Sequence, residues 1–176
     1  MSNEVKQFTG SETKGEFRDT IYYADGRVEV TDWNRNLIVS GINNLISALF
    51  KNQSGYTGIG YWAVGSGQSS WDTNLANPAA SDVKLVNEIG RKAIPASAIT
   101  FLTSSDDTTS TVTNRLQITL TFEENDANGS WREFGIFGGN ATSTKDSGVM
   151  INHKTHSVIP KSNSMRIERQ IRFTFQ

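Results

Sequence analysis

Two histidines, His153 and His156, are the residues whose chemistry is easiest to consider first, since imidazoles bind zinc and transfer protons near neutral pH. The nearest acids along the chain, Asp146 and Glu168, form no ligand motif with them, and no cysteine exists to complete a typical zinc site. The surrounding segment predicts a hairpin tip between two short strands. We therefore expect a solvated pair and predict no metal.

A short glycine-rich stretch, residues 65–67 (Gly-Ser-Gly), follows an apolar segment as a phosphate-binding loop would. A third glycine, a Gly-Lys-Ser/Thr motif and a following helix are all missing from the required places, so little would hold an anion there. Serines are abundant, but no Gly-x-Ser-x-Gly elbow is present and none stands beside a recognisable base. These patterns favour a flexible turn and predict neither an enzyme nor a cofactor.

Acidic residues cluster in two predicted loops: Asp106, Asp107, Glu123, Glu124 and Asp126. Asp126-x-Asn128-Gly129 is a fragment of a calcium-loop pattern whose remaining ligands are absent. Solvated loop carboxylates are the expectation, with a weak cation site as the alternative.

Four tryptophans could form a sugar-stacking platform: Trp33, Trp62, Trp71 and Trp131. Trp62 and Trp131 lie in predicted strands and are expected in the core. Trp71 lies among polar loop residues and is predicted to be exposed, which makes it a candidate interface or ligand contact. Phe8, in the polar N-terminal segment, is a second candidate contact.

Apolar periodicity predicts the elements that position these residues. A hairpin is predicted around Asp25-Gly26, and the spacing from Ile42 to Phe50 predicts one amphipathic helix over residues 40–51, capped by Ser40. Alternation predicts strands at residues 85–94, 116–122, 131–137 and 167–175, among about eight in all. The fold class is therefore all-β, mainly an antiparallel β-sandwich, with residues 15–176 as one domain and residues 1–14 as a flexible arm.

The composition restricts the class of partner. The net charge of −1 gives no basic field for nucleic acid, and the longest apolar runs are too short to span a membrane. Apolar residues make up 36% of the chain, below the globular average, and the difference is filled by Ser, Thr, Asn and Gly, which suit turns and solvent-facing strand positions. No secretory signal is visible at the N-terminus, so synthesis in a cytosol is expected.

Three segments in order resemble small structural virion proteins of tailed bacteriophages: tail-fibre attachment, collar and baseplate modules. They are residues 33–39 (WNRNLIV), residues 63–67 (AVGSG) followed by 85–92 (LVNEIGRK), and residues 132–137 (REFGIF). The resemblance implies a non-enzymatic virion subunit of the tail, neck, collar or baseplate, including an adaptor for fibres. It further implies a homo-oligomer, trimer or hexamer, that binds other virion proteins.

Within these segments a cross-strand ion pair between Arg91 and Glu133 is the hypothesis for how Glu133 is tolerated in an apolar strand. The alternative function is a carbohydrate- or receptor-binding module of a tail tip, with a host surface glycan as partner and Trp71 as the stacking ring.

Overall fold

The structure, a computed structural model, describes residues 13–175, and these contain eleven β-strands and one α-helix. The strands are β1 (Lys14–Tyr23), β2 (Val28–Val30), β3 (Asn34–Ile38), β4 (Thr57–Gly65), β5 (Glu88–Ala93), β6 (Ile99–Leu102), β7 (Thr108–Thr109), β8 (Arg115–Phe122), β9 (Gly129–Gly139), β10 (Val149–Lys161) and β11 (Met165–Thr174). The helix is α1 (Gly41–Phe50), and short 3-10 helices span Ser69–Asp72 and Ala96–Ala98. The predicted all-β class with a single α-helix is confirmed for this part of the chain.

All the paired strands are antiparallel, in the order β5-β4-β9-β10-β3-β1-β11-β8-β6-β7, and β2 pairs with β1. Three strand steps in a flat sheet would separate β9 from β1 by about 14 Å. The rings of Phe17 in β1 and Phe134 in β9 nevertheless lie 4.9 Å apart. The two halves of the sheet therefore pack face to face, with β3 hydrogen-bonded to both.

Alternating residues of the last strand form the centre of the core. Ile167, Ile171 and Phe173 are fully buried in β11, as is Arg169 in the same row, whereas the alternate residues Glu168, Gln170 and Arg172 are half-buried. On β1 and β8, the neighbours of β11 in the sheet, the same alternation places Phe17, Ile21 and other apolar residues on this inner face. The period-two pattern thus decides which face of each strand becomes the core.

The helix lies where it was predicted, but its apolar face is only partly used. It begins at Gly41 and ends at Phe50, and Ser40 makes no side-chain capping hydrogen bond. Ile42 and Leu45 are buried against the sheet, whereas Leu49 is 38% exposed and Phe50 is 86% exposed. None of the described helices is long and apolar enough to cross a membrane.

The predicted hairpin tip at the two histidines is wrong, because β10 continues as one strand from Val149 to Lys161. β10 forms backbone hydrogen bonds with its neighbour β9 on both sides of the two histidines. The pairing shifts register after Met150 and again after Thr155. His153 is consequently buried within the sheet rather than solvated at a tip.

The N-terminal boundary also differs from the prediction. Lys14 already belongs to β1, where it pairs with Thr174 of β11. The rest of the predicted arm up to residue 12, including the candidate contact Phe8, lies outside the described residues.

Candidate functional site

Glu133 is a fully buried carboxylate in β9 that binds two segments of chain and a histidine. Its Oε1 accepts hydrogen bonds from the backbone N–H groups of Gly67 at 3.1 Å and Asn87 at 2.9 Å. Its Oε2 accepts one from the N–H of Val86 at 3.0 Å and lies 3.0 Å from Nε2 of His153. Four partners from the chain itself therefore surround one carboxylate, which satisfies a buried charge that would otherwise be costly.

His153 of β10 lies between two carboxylates. Its Nε2 faces Glu133, and its Nδ1 lies 2.7 Å from Oδ2 of Asp82, an oxygen that also accepts the backbone N–H of Ala79 at 2.8 Å. Burial alone would lower the pKa of His153, but its hydrogen bonds with Glu133 and Asp82 hold that pKa above the ordinary 6.5. We call Glu133, His153 and Asp82 the carboxylate lock.

The pKa of Glu133 moves in the opposite direction. Burial by itself would raise it, but the hydrogen bonds from His153 and from the N–H groups of Asn87 and Val86 hold it below the ordinary 4.5. The two pKa shifts together favour an imidazolium at His153 beside an ionised Glu133.

The carboxylate lock fastens the long connection over residues 66–87 to the sheet. Two further contacts act on the same connection: Arg132 donates two hydrogen bonds to the carboxylate of Asp72, at 2.8 and 2.7 Å, and Thr155 Oγ1 donates to the carbonyl of Ala76 at 2.6 Å. Because Glu133 captures the N–H groups of Val86 and Asn87, the strand predicted to begin at residue 85 begins only at Glu88.

The predicted Arg91–Glu133 ion pair is not formed. Arg91 instead donates from Nε and Nη2 to the two carboxylate oxygens of Glu88, both at 2.7 Å, and its guanidinium stacks 4.8 Å from the ring centroid of Phe137. The reason lies in the register: β4 separates β5 from β9, and Glu133 stands opposite Gly65. Glu88 therefore pairs with Arg91, whereas Glu133 pairs with His153.

A second buried charge cluster lies between the two halves of the sheet. Arg169 of β11 is fully buried and donates from Nε and Nη2 to the carboxylate of Asp19 in β1, at 2.5 and 2.6 Å. Its guanidinium lies 4.4 Å from the ring centroid of Phe134. The remaining nitrogen, Nη1, is buried without a hydrogen-bond partner among the described residues.

Lys154 and His156 complete this second group, which we call the inter-sheet cluster (Asp19, Arg169, Lys154 and His156). Lys154 Nζ lies 5.5 Å from the ring centroid of Phe17 and makes no ion pair or hydrogen bond within residues 13–175. Burial lowers the pKa of this lysine.

His156 is the neutral member of the inter-sheet cluster. Its Nδ1 lies 2.7 Å from the carbonyl of Ser157, which can only accept, so Nδ1 carries the proton. Nε2 is then a bare acceptor, buried without a partner in the described part of the chain. Burial, with the nearby Arg169 charge, lowers the pKa of His156 to about 4.

The tryptophans lie partly as predicted. Trp62 and Trp131 are fully buried in the core, but Trp71 is only 8% exposed, so its predicted exposure is wrong. Its 3-10 helix places the ring against Gly67, where a Cβ atom would collide with it. A ring buried in this way offers no stacking surface for a sugar.

The predicted acidic cluster is divided between separate cations. Asp106 pairs with Arg115 and with Arg172, and Asp126 pairs with Lys92 at 2.5 Å. Within residues 13–175 no group of three or more His, Asp or Glu side chains is placed to hold a metal ion.

No model of a known protein family matches this chain. No curated protein matches it either. The interpretation of both clusters therefore rests on their own geometry.

Sequence reasoning missed Asp19, Arg169 and Asp82. A signal existed for the first two, because each interrupts an alternating apolar row: Asp19 stands between Phe17 and Ile21, and Arg169 stands between Ile167 and Ile171. A charge in an inward-facing row needs a partner from another strand. Asp82 lies in a long connection, and nothing in the sequence places it beside His153.

Proposed function

We propose that the chain is a non-enzymatic structural subunit of a tailed-phage virion, from its tail, neck, collar or baseplate. It acts by symmetric self-assembly and by binding neighbouring virion proteins. The resemblance of the three ordered segments to such proteins motivates the assignment.

The observation that most supports this proposal is that charged side chains of the three segments bind other parts of the same subunit. Glu133 accepts hydrogen bonds from the N–H groups of both parts of the second segment, at Gly67 and at Val86 and Asn87, and Glu88 binds Arg91. A catalytic carboxylate must reach a substrate, whereas these side chains contact the chain itself. These contacts hold the connection over residues 66–87 in one conformation.

That connection carries apolar side chains on its outer surface. Val83 is 70% exposed, Val86 is 52% exposed and Leu75 is 43% exposed, although the same connection is fastened on its inner side by the carboxylate lock. A preorganised segment with exposed apolar groups loses little entropy on association, which suits an interface with a second copy.

Light scattering on the full chain over a range of concentrations tests the proposal. We expect a trimer or hexamer, and we expect the double variant Val83→Asp with Val86→Asp to weaken assembly by roughly 10-fold or more, since charges at an apolar interface must be desolvated.

Val112→Asp is the matched control, because Val112 is 78% exposed in the connection before β8. A wild-type chain that remains monomeric and binds no neighbouring virion protein would contradict the proposal. So would equal assembly of the Val83/Val86 variant and the control.

A receptor-binding module at a tail tip was the alternative, with Trp71 as its stacking ring. The burial of Trp71 removes the residue on which that alternative rested.

A further inference from the structure

The two halves of the sheet part beside the inter-sheet cluster. β3 pairs with β1 only at residues 15–17 of that strand and with β10 only at Asn152 and His153. Beyond these contacts β1 and β10 diverge and leave a cleft of about 420 Å³. Its walls include Phe17, Asp19, Thr31, Lys154, Ser157 and Ile159.

The charges at this cleft do not balance within the described residues. Arg169 and Asp19 neutralise each other through two hydrogen bonds. Lys154 is half-buried on the cleft wall and has no anionic partner in residues 13–175. An ammonium withdrawn from water without a counter-charge is costly, so one negative charge brought into the cleft would be stabilised.

The lining restricts the kind of anion. Among the described residues that line the cleft, Lys154 is the cation without a counter-charge, so a single negative charge is balanced there and the second charge of a dianion such as phosphate is not. Thr31, Asn34 and Ser157 bring hydroxyl and amide groups, which bind the hydroxyls of a ligand. The volume of the cleft is within the range of about 300–1,000 Å³ typical of small-molecule sites.

We propose that this cleft binds a small hydroxylated carboxylate of the uronic-acid type, with the carboxylate on Lys154 Nζ and the hydroxyls on the polar groups of Thr31, Asn34 and Ser157. Glu133, His153 and Asp82 of the carboxylate lock do not line the cleft, whereas Leu75 of the connection and Thr155, which binds Ala76, do.

Isothermal titration of the full chain with glucuronate, glucose, acetate and inorganic phosphate tests the site. We expect glucuronate to bind more tightly than the other three, because only glucuronate supplies both the single charge and the hydroxyls. Lys154→Met should weaken glucuronate binding by roughly 10- to 100-fold, the range expected for losing a charge-assisted hydrogen bond.

Two further variants separate binding from folding. Lys145→Met removes an exposed lysine from the connection before β10 and should leave glucuronate affinity unchanged. Ser157→Phe keeps the ammonium but fills the mouth of the cleft at an exposed position, and it should abolish binding while the thermal melt stays that of the wild type.

A second readout follows the lysine itself. Carbon-13 NMR of Lys154 Cε should report a higher pKa of the ammonium when glucuronate is saturating, because the carboxylate replaces the missing counter-charge. The site is overturned if glucuronate does not bind, or if Lys154→Met and Ser157→Phe bind it as the wild type does. Equal or tighter binding of acetate or phosphate would overturn the ligand class.

Discussion

The carboxylate lock and the inter-sheet cluster both place charges inside one sandwich, yet they differ in how their polar atoms are used. In the lock, both oxygens of Glu133 and both nitrogens of His153 have partners within 3.1 Å. In the inter-sheet cluster, Arg169 Nη1 and His156 Nε2 are buried without partners in the described chain, and the Lys154 ammonium lacks a counter-charge.

This difference reflects the partners that each cluster recruits. Glu133 binds mainly backbone N–H groups, which a connection of irregular structure leaves free, so the chain can saturate it. Arg169 and Asp19 lie on neighbouring strands whose backbone groups are already used by the ladder. Only side chains remain to satisfy the inter-sheet cluster, and they do so incompletely.

The largest expected effect is the loss of one member of either cluster. Glu133→Ala leaves three backbone N–H groups and Nε2 of His153 without partners, and Arg169→Met leaves the Asp19 carboxylate buried alone. Each should lower the free energy of unfolding by about 3–5 kcal/mol. Urea denaturation measures this, with Glu124→Ala as an exposed carboxylate control that should change little.

Double replacements separate the two clusters. Asp19→Leu combined with Arg169→Met removes both charges together and should recover most of the loss. Glu133→Leu combined with His153→Leu should recover little, because the N–H groups of Gly67, Val86 and Asn87 stay unpaired. Equal recovery in the two pairs would show that the backbone contacts of the lock contribute nothing.

An intermediate loss of stability is expected at Gly65, where β4 passes directly beside the Glu133 carboxylate. A Cβ atom at Gly65 would lie 2.5 Å from Oε1 of Glu133 and 2.8 Å from the carbonyl of Asn87, so Gly65→Ala displaces the carboxylate. We expect a loss of about 1–3 kcal/mol by thermal or urea unfolding, as for overpacking in a core. Gly58→Ala, in the same strand with open space around it, is the control and should cost far less.

The smallest effect is a change in the pH dependence of stability, with opposite signs for the two histidines. The folded pKa of His153 is above 6.5, so its contribution is complete below pH 6.5 and is lost as the pH rises through the folded value. The folded pKa of His156 is about 4, so its contribution is complete above pH 6.5 and is lost as the pH falls toward that value.

Unfolding free energies of His153→Gln and His156→Gln, measured from about pH 4 to about pH 9, check this prediction. His153→Gln should flatten the decline on the alkaline side, and His156→Gln should flatten it on the acidic side. The decline due to Glu133, whose folded pKa lies below 4.5, begins only below pH 4.5 and should remain in the His156 variant. Profiles that shift in the same direction would contradict the assignment of opposite charge states.

Strand alternation and helical spacing were sufficient to predict most elements, because burial of one face follows directly from period-two and period-3.6 patterns. Ile167, Ile171 and Phe173 are in the core as that rule requires. The same rule failed for β10, where His153 and His156 interrupt the apolar pattern and suggested a turn. Both histidines can be buried in a strand because residues distant in the sequence surround them, and a local sequence pattern does not reveal those neighbours.

The sequence alone determined the all-β class, the single helix and the burial of Trp62 and Trp131, since these depend on the order of apolar and polar residues along each segment. Only the tertiary structure decided the partners of the buried charges: Glu133 with His153 and Asp82, Arg91 with Glu88, and Arg169 with Asp19. The physical reason is register, because which side chains meet depends on how strands and connections far apart in the chain are aligned in space.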